Sequence, residues 1–132
     1  MPIDYVRKLH KLLNSELSYN EQNKKEFHRV GKKVLKQIAE AMGLSKDNYD
    51  IRSNLGGIAV SGELYLHSDS LEICIEQGSF EDIRYRHVKS RKDCTGDDIN
   101  CWMSCDYLAS KFSGAISEFK RVAEFGHRRD TV

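Results

Sequence analysis

Apolar residues recur at steps of three and four through the first 42 positions, at steps of two across the middle, and at three and four again from residue 108. This order of periods predicts helix, then strand, then helix. Over residues 2–17, Ile3, Val6, Leu9, Leu13 and Leu17 share one helical face, and Pro2 suits a first turn. A second helix places Phe27, Val30, Val34, Leu35, Ile38 and Met42 on one side until Gly43. Ser18 and Glu21 have the spacing of a capping box before it, and Leu44 stands where a Schellman motif makes its apolar contact. The opposite face shows Lys24, Lys25, Arg29, Lys32, Lys33 and Lys36.

The period then shortens. In "GGIAVSGELYLHS", Ile58, Val60, Leu64 and Leu66 alternate with polar residues and predict a half-buried strand, in which Gly62 marks a bulge or a close backbone contact. The turn "HSDS" leads into "LEICIEQ", where Leu71, Ile73 and Ile75 point one way. Glu72, Cys74 and Glu76 point the other, which makes Cys74 a surface thiol. "IRYRHVK" alternates Ile83, Tyr85 and His87 with Arg84, Arg86 and Val88, and "YDIRSN" reads as a short first strand. Connections this short require antiparallel pairing. Leu108, Phe112, Ala115, Ile116, Phe119, Val122 and Ala123 then define a last helix that Gly126 ends and Gly114 can split. The expected fold is α+β: an N-terminal helical pair, an antiparallel β-meander of three to four strands, and a C-terminal helix packed on one face of the sheet. The other face is left largely wet, and residues 1–132 are expected to form a single domain.

Charge adds a segregation that the net value of +1 conceals. Residues 1–42 carry nine Lys or Arg against five acids, residues 43–82 two against eight, and residues 84–92 five against none. No global field draws such a molecule to nucleic acid or to anionic lipid, whereas a two-signed surface suits a specific partner. No apolar run approaches a membrane span, and the scattered charges of "MPIDYVRKLHKLLNSEL" do not form a secretory signal. A cytoplasmic location is therefore expected, without membrane contact, and with the four cysteines reduced.

Candidate chemistry concentrates in "RHVKSRKDCTGDDINCWMSC". His87, Cys94, Cys101 and Cys105 supply four nitrogen and sulfur ligands, but the spacing H-x6-C-x6-C-x3-C lacks the C-x2-C knuckle of zinc sites. The simpler expectation is no metal, with Cys101 and Cys105 packed beneath the last helix and Trp102 as its anchor. Cys94, His87 and Asp93 can be written as a nucleophile, base and orienting acid, yet no nucleophile elbow, P-loop, dinucleotide fingerprint or H-E-x-x-H accompanies them. No enzyme and no cofactor is expected. "SNLGGIA" precedes a strand where phosphate loops open a helix, so it reads as a turn. Glu72 and Glu76 fall on the same face as Arg84 and Arg86, and cross-strand pairing neutralises those arginines. Lys89, Arg91 and Lys92, with Asp97 and Asp98 further along the loop, remain the expected site for an anion or a partner. Tyr65, Tyr85 and Trp102 are the aromatics that could stack on bases if they stand on the outer face.

"IRSNLGGIAVSGELYLHSD" and "YRHVKSRKDCTG" resemble a pair of segments in small uncharacterised proteins encoded by bacterial phages, plasmids and integrated mobile elements. Relatives of that kind tend to read Gly-Arg-Lys-Asp-Tyr-Thr-Gly-Gly in the loop, where this chain has Ser90, Cys94 and Asp97 in place of the first Gly, the Tyr and the last Gly. The resemblance implies a mobile-element context and carries no activity with it. The expected function is that of a non-enzymatic binding protein contacting a host protein, such as a component of a defence or regulatory system. It would act through the outer sheet face and the loop from Lys89 to Asp98. A nucleic-acid-binding accessory protein is the alternative, a metal- or thiol-dependent enzyme the second alternative, and a homodimer is left open by the free sheet edges.

Overall fold

A computed structural model describes residues 2–78, 80–90 and 99–125. Helix α1 (Pro2–Leu13) and helix α2 (Glu21–Ala41) come first, followed by a 3-10 turn at Lys46–Asn48. Five strands form one sheet in chain order: β1 (Tyr49–Asn54), β2 (Glu63–Ser68), β3 (Leu71–Glu76), β4 (Ile83–His87) and β5 (Cys101–Met103). Every neighbouring pair is antiparallel. Helices α3 (Cys105–Ser110) and α4 (Phe112–Phe125) complete the described chain.

The helices lie on one side of the sheet, as the change of period requires. Helix α2 packs on β1 and β2, α4 packs on β3 and β4, and α1 bridges α2 and α3. Between the layers, Leu64, Leu66, Leu71, Ile73, Ile75 and Ile83 from the strands are wholly enclosed, together with Phe27, Leu35 and Phe119 from the helices. Burying each such side chain contributes about 1.5–3 kcal/mol, so this layer carries most of the stability. The side chain of Ile3 falls outside the described part of the chain.

Local chemistry explains where the expected elements shift. Helix α1 stops at Leu13 instead of running to residue 17, because Asn14 Nδ2 donates to the His10 carbonyl (2.9 Å) and Ser15 Oγ to that of Leu12 (2.6 Å). Side chains thus take carbonyls that a continuing helix would use. Leu17 stays buried, carried inward by the link between the helices. Asn20, not Ser18, caps α2, its Oδ1 accepting from the Asn23 amide at 3.1 Å. At the other end Leu44 N–H donates to the Ala39 carbonyl and Gly43 N–H to that of Glu40, both at 3.0 Å. With Gly43 at φ +82°, this is the expected Schellman closure.

The expected strand over residues 56–68 is a strand only from Glu63. Ile58 and Val60 stand 69% and 49% exposed in a loop whose backbone is taken up by α2 and the turn before it. Tyr19 N–H donates to the Ile58 carbonyl (2.7 Å), Lys24 Nζ to that of Gly57 (2.7 Å), and His28 Nε2 to that of Ser61 (2.9 Å). Gly62 makes the expected close contact at the entry to β2: at φ +75° its missing Cβ would fall 2.3 Å from the Asn54 carbonyl.

Two differences lie near the C-terminal end. Cys101–Met103 is a fifth strand, too short to show a period, and it pairs with β4 through Ile83–Met103, Arg84–Trp102 and Tyr85–Cys101. The last helix breaks at Lys111 (φ −132°), three residues before Gly114. Ser104 caps the first piece by accepting from the Tyr107 amide at 3.0 Å. Gly126 lies outside the described residues.

Candidate functional site

Because the helices occupy one face, the other face of the sheet is a surface built by alternation alone. Register brings Asp50 and Arg52 of β1, Glu63, Tyr65 and His67 of β2, and Glu72, Cys74 and Glu76 of β3 to it. Arg84 and Arg86 of β4 and Trp102 of β5 continue it. At its centre Glu72 is buried and gathers three partners: Arg84 at 2.9 Å, Arg86 at 3.2 Å and His67 Nδ1 at 3.6 Å. The cross-strand neutralisation expected for these arginines is present, and it converges on one carboxylate.

Two aromatic pairs flank this cluster. Tyr65 stacks on His67, with ring centroids 5.5 Å apart and planes at 17°. Burial pushes the Tyr65 phenol up to about 12 and holds the His67 imidazole below its ordinary value, so both rings are neutral near pH 7. At the β5 end Phe80, from the turn between β3 and β4, meets Trp102 edge to face at 5.8 Å. Phe80 is 79% exposed and Trp102 36%. Trp102 is therefore not the anchor of the last helix; β5 turns it outward across from Arg84, and Met103 takes the inward position. Tyr85 stands on the inner face, edge to face with Phe119, its hydroxyl donating to Glu118 Oε2 at 2.8 Å.

The thiols have a different environment from the one alternation predicts. Cys74 is on the outer face but buried, crowded by Tyr65 and Arg84 from both neighbouring strands, and burial raises its pKa to about 11. Cys105 is enclosed under α1, with its Sγ 3.7 Å from the Val6 carbonyl, and burial pushes it up to about 12. Both are protonated thiols near neutral pH, the reverse of an activated nucleophile. Cys101 lies in β5, partly buried against the core. Among the described residues no three His, Cys, Asp or Glu side chains are grouped to hold a metal ion. Cys94 and Asp93 lie outside them.

Of the expected partner-binding residues, Lys89 is described. It is exposed just beyond β4, with no carboxylate at ion-pair distance among the described residues, after Val88 N–H extends the ladder to the Ser70 carbonyl at 3.1 Å. Arg91, Lys92, Asp97 and Asp98 fall outside the described residues. Phe80 was missed in the sequence because a lone apolar residue in the polar turn "QGSFED" shows no period.

A groove of about 620 Å³ runs between the β4–β5 end of the sheet and the last two helices. Three of its polar side chains are tied together: Glu118 accepts from Tyr85 and from Arg121 through Nε (2.8 Å) and Nη2 (3.0 Å). This triad braces α4 on the sheet, and Trp102 of β5 and Tyr107 of α3 also line the groove. Among the described residues no helix is long and apolar enough to cross a membrane. No protein family, curated protein or solved structure gives a significant match to the chain.

Proposed function

We propose that this chain is a protein-binding module that acts by contact and not by catalysis, through the outer face of its sheet. The observation that carries the reading is the exposed Phe80–Trp102 pair beside the part-buried Arg84, on a face that no described helix covers. Tryptophan, tyrosine and arginine are the residues that dominate binding energy at protein interfaces. Lys89, exposed just beyond β4, is the described member of the expected partner-binding set. The buried thiols Cys74 and Cys105, held protonated by burial, favour contact over thiol chemistry.

The resemblance to proteins of phages and other mobile elements suggests a host protein as the target, with inhibition of a defence or regulatory component as the outcome. Nucleic acid is the less favoured ligand, because Glu72 neutralises the arginines nearest the exposed aromatics. The lysine-rich side of α2 lies at the other edge of the sheet, away from the Phe80–Trp102 pair.

Affinity purification from a bacterial host with the natural chain and a Phe80→Ala/Trp102→Ala variant tests this reading. A host protein recovered by the natural chain and lost with the variant is the expected result. Equal recovery by both overturns the outer face as the binding surface. Recovery abolished by nuclease treatment identifies nucleic acid instead.

A further inference from the structure

The opposite edge of the sheet carries a second surface that the outer-face reading does not use. β1 is the edge strand, and among the described residues no strand pairs with its free side. Its six residues, "YDIRSN", contain no proline or lysine, and its two charged side chains, Asp50 and Arg52, stand on the outer face of the sheet, away from α2. A groove of about 470 Å³ runs between the end of this strand and α2, lined by Lys25, His28, Arg29, Lys32 and Lys33 on the helix side and by Ser53 of β1 and Leu55 just beyond it on the other.

The charges in this groove are unevenly spent. Arg29 is held by Glu26 through Nε and Nη2 at 2.7 and 2.8 Å, and Lys33 lies over the Tyr5 ring at 5.1 Å. Lys25 has only an exposed contact with Glu21 at 3.6 Å, which contributes little. Among the described residues no carboxylate lies within ion-pair distance of Lys32.

We infer that the groove between β1 and α2 accepts an extended acidic protein segment, which adds to the sheet as a sixth strand and sets its carboxylates against Lys25 and Lys32. Along the edge of β1 that no described strand pairs, main-chain groups supply hydrogen bonds, and the period of two aims every second side chain at the helix. A second copy of this chain fits less well: joining two β1 edges about a dyad puts two α2 flanks on one side of the merged sheet, basic against basic. A nucleic acid fits less well too, because the ring that lines the groove, His28, is buried and bonded to the Ser61 carbonyl, and a strand edge offers it no matching partner.

The test uses fluorescence anisotropy with the full chain and a labelled peptide of about ten residues, alternating glutamate and threonine, long enough to cover β1. Saturable binding is expected, weakened about tenfold or more by Lys25→Glu/Lys32→Glu. Both lysines are exposed, and an unchanged circular dichroism spectrum shows that the variant folds. Two further peptides carry N-methyl groups, one on the glutamate amides and one on the threonine amides; strand addition requires that one of them loses binding. The proposal is overturned if both methylated peptides bind like the parent, or if a lysine–threonine peptide binds equally well. It is also overturned if a single-stranded oligonucleotide binds more tightly and shows the same lysine dependence, or if sedimentation shows that the chain occupies this edge with its own copy. None of these results bears on the Phe80–Trp102 surface, whose test is separate.

Discussion

Glu72→Gln removes one charge from the outer face while preserving the shape of the side chain. The carboxylate of Glu72 is 5% exposed, whereas its partners Arg84, Arg86 and His67 keep 30%, 23% and 16% of their side chains open to water. Taking one partner from a fully buried ion cluster costs about 3–5 kcal/mol, mostly because the remaining charges lose both solvent and counter-charge. Here the arginines recover part of their hydration, so we expect a loss of about 2–3 kcal/mol, read as a lower midpoint in urea at unchanged slope. Replacing all three charged residues, as in Glu72→Met/Arg84→Met/Arg86→Met, leaves no orphaned charge and is expected to return most of that loss. A double-mutant cycle of Glu72→Gln with Arg84→Gln isolates the pair. A cost for Glu72→Gln below about 0.5 kcal/mol, with no coupling in the cycle, would refute the claim that this carboxylate organises the face.

Gly62→Ala tests the joint between the β1–β2 loop and α2. A side chain at φ +75° costs about 1–2 kcal/mol, and the added carbon meets the Asn54 carbonyl at 2.3 Å and His28 Nε2 at 2.8 Å, so a total of about 2–4 kcal/mol is expected in urea unfolding; a loss under about 1 kcal/mol would contradict the observed packing. His28 supplies a pH dependence: burial first, then the charges of Lys24 and Lys32, hold its folded-state pKa below the ordinary 6.5, against the opposing hydrogen bond to Ser61. The unfolded chain therefore takes up the proton first, so stability is complete above pH 6.5 and falls as pH drops through that value toward the folded-state pKa. Between about pH 5 and 7, His28→Gln is expected to flatten the slope of stability against pH, and an unchanged slope would show that His28 does not titrate on unfolding.

The layering was legible in the sequence wherever a side-chain period ran long enough to be counted. The apolar face of α2 from Phe27 to Ile38, the β1 boundaries and the Glu72–arginine pairing all followed from spacing. What failed was alternation continued across a conformational break. Ile58 and Val60 keep the parity of Leu64 and Leu66, yet Gly62 and the α2 contacts to Gly57 and Ser61 bend that segment away from the sheet. Parity implies a face only while the backbone remains a strand, and nothing local in "GGIAVSG" says that α2 competes for its carbonyls.

The binding surface was harder to read, because exposure on a sheet depends on neighbours that the sequence does not place. Cys74 has the parity of a wet residue and is buried, since Tyr65 and Arg84 from adjacent strands close over it. Trp102 has the size of a core anchor and faces out, since β5 contributes three residues of which Met103 and Cys101 take the inward positions. Phe80 becomes significant only when β4 and β5 bring Trp102 beside its turn. The same logic gives the two edges different chemistry. At β5 the outward residue is a large ring next to neutralised arginines, a surface for apolar contact. At β1 the edge has no strand neighbour among the described residues, and the nearest helix supplies Lys32 with no carboxylate at ion-pair distance among them, the surface inferred for a charged strand. A partner that needs both must span the full width of the sheet, so loss of binding in both the Phe80→Ala/Trp102→Ala and the Lys25→Glu/Lys32→Glu variants would identify a single ligand wrapped across it.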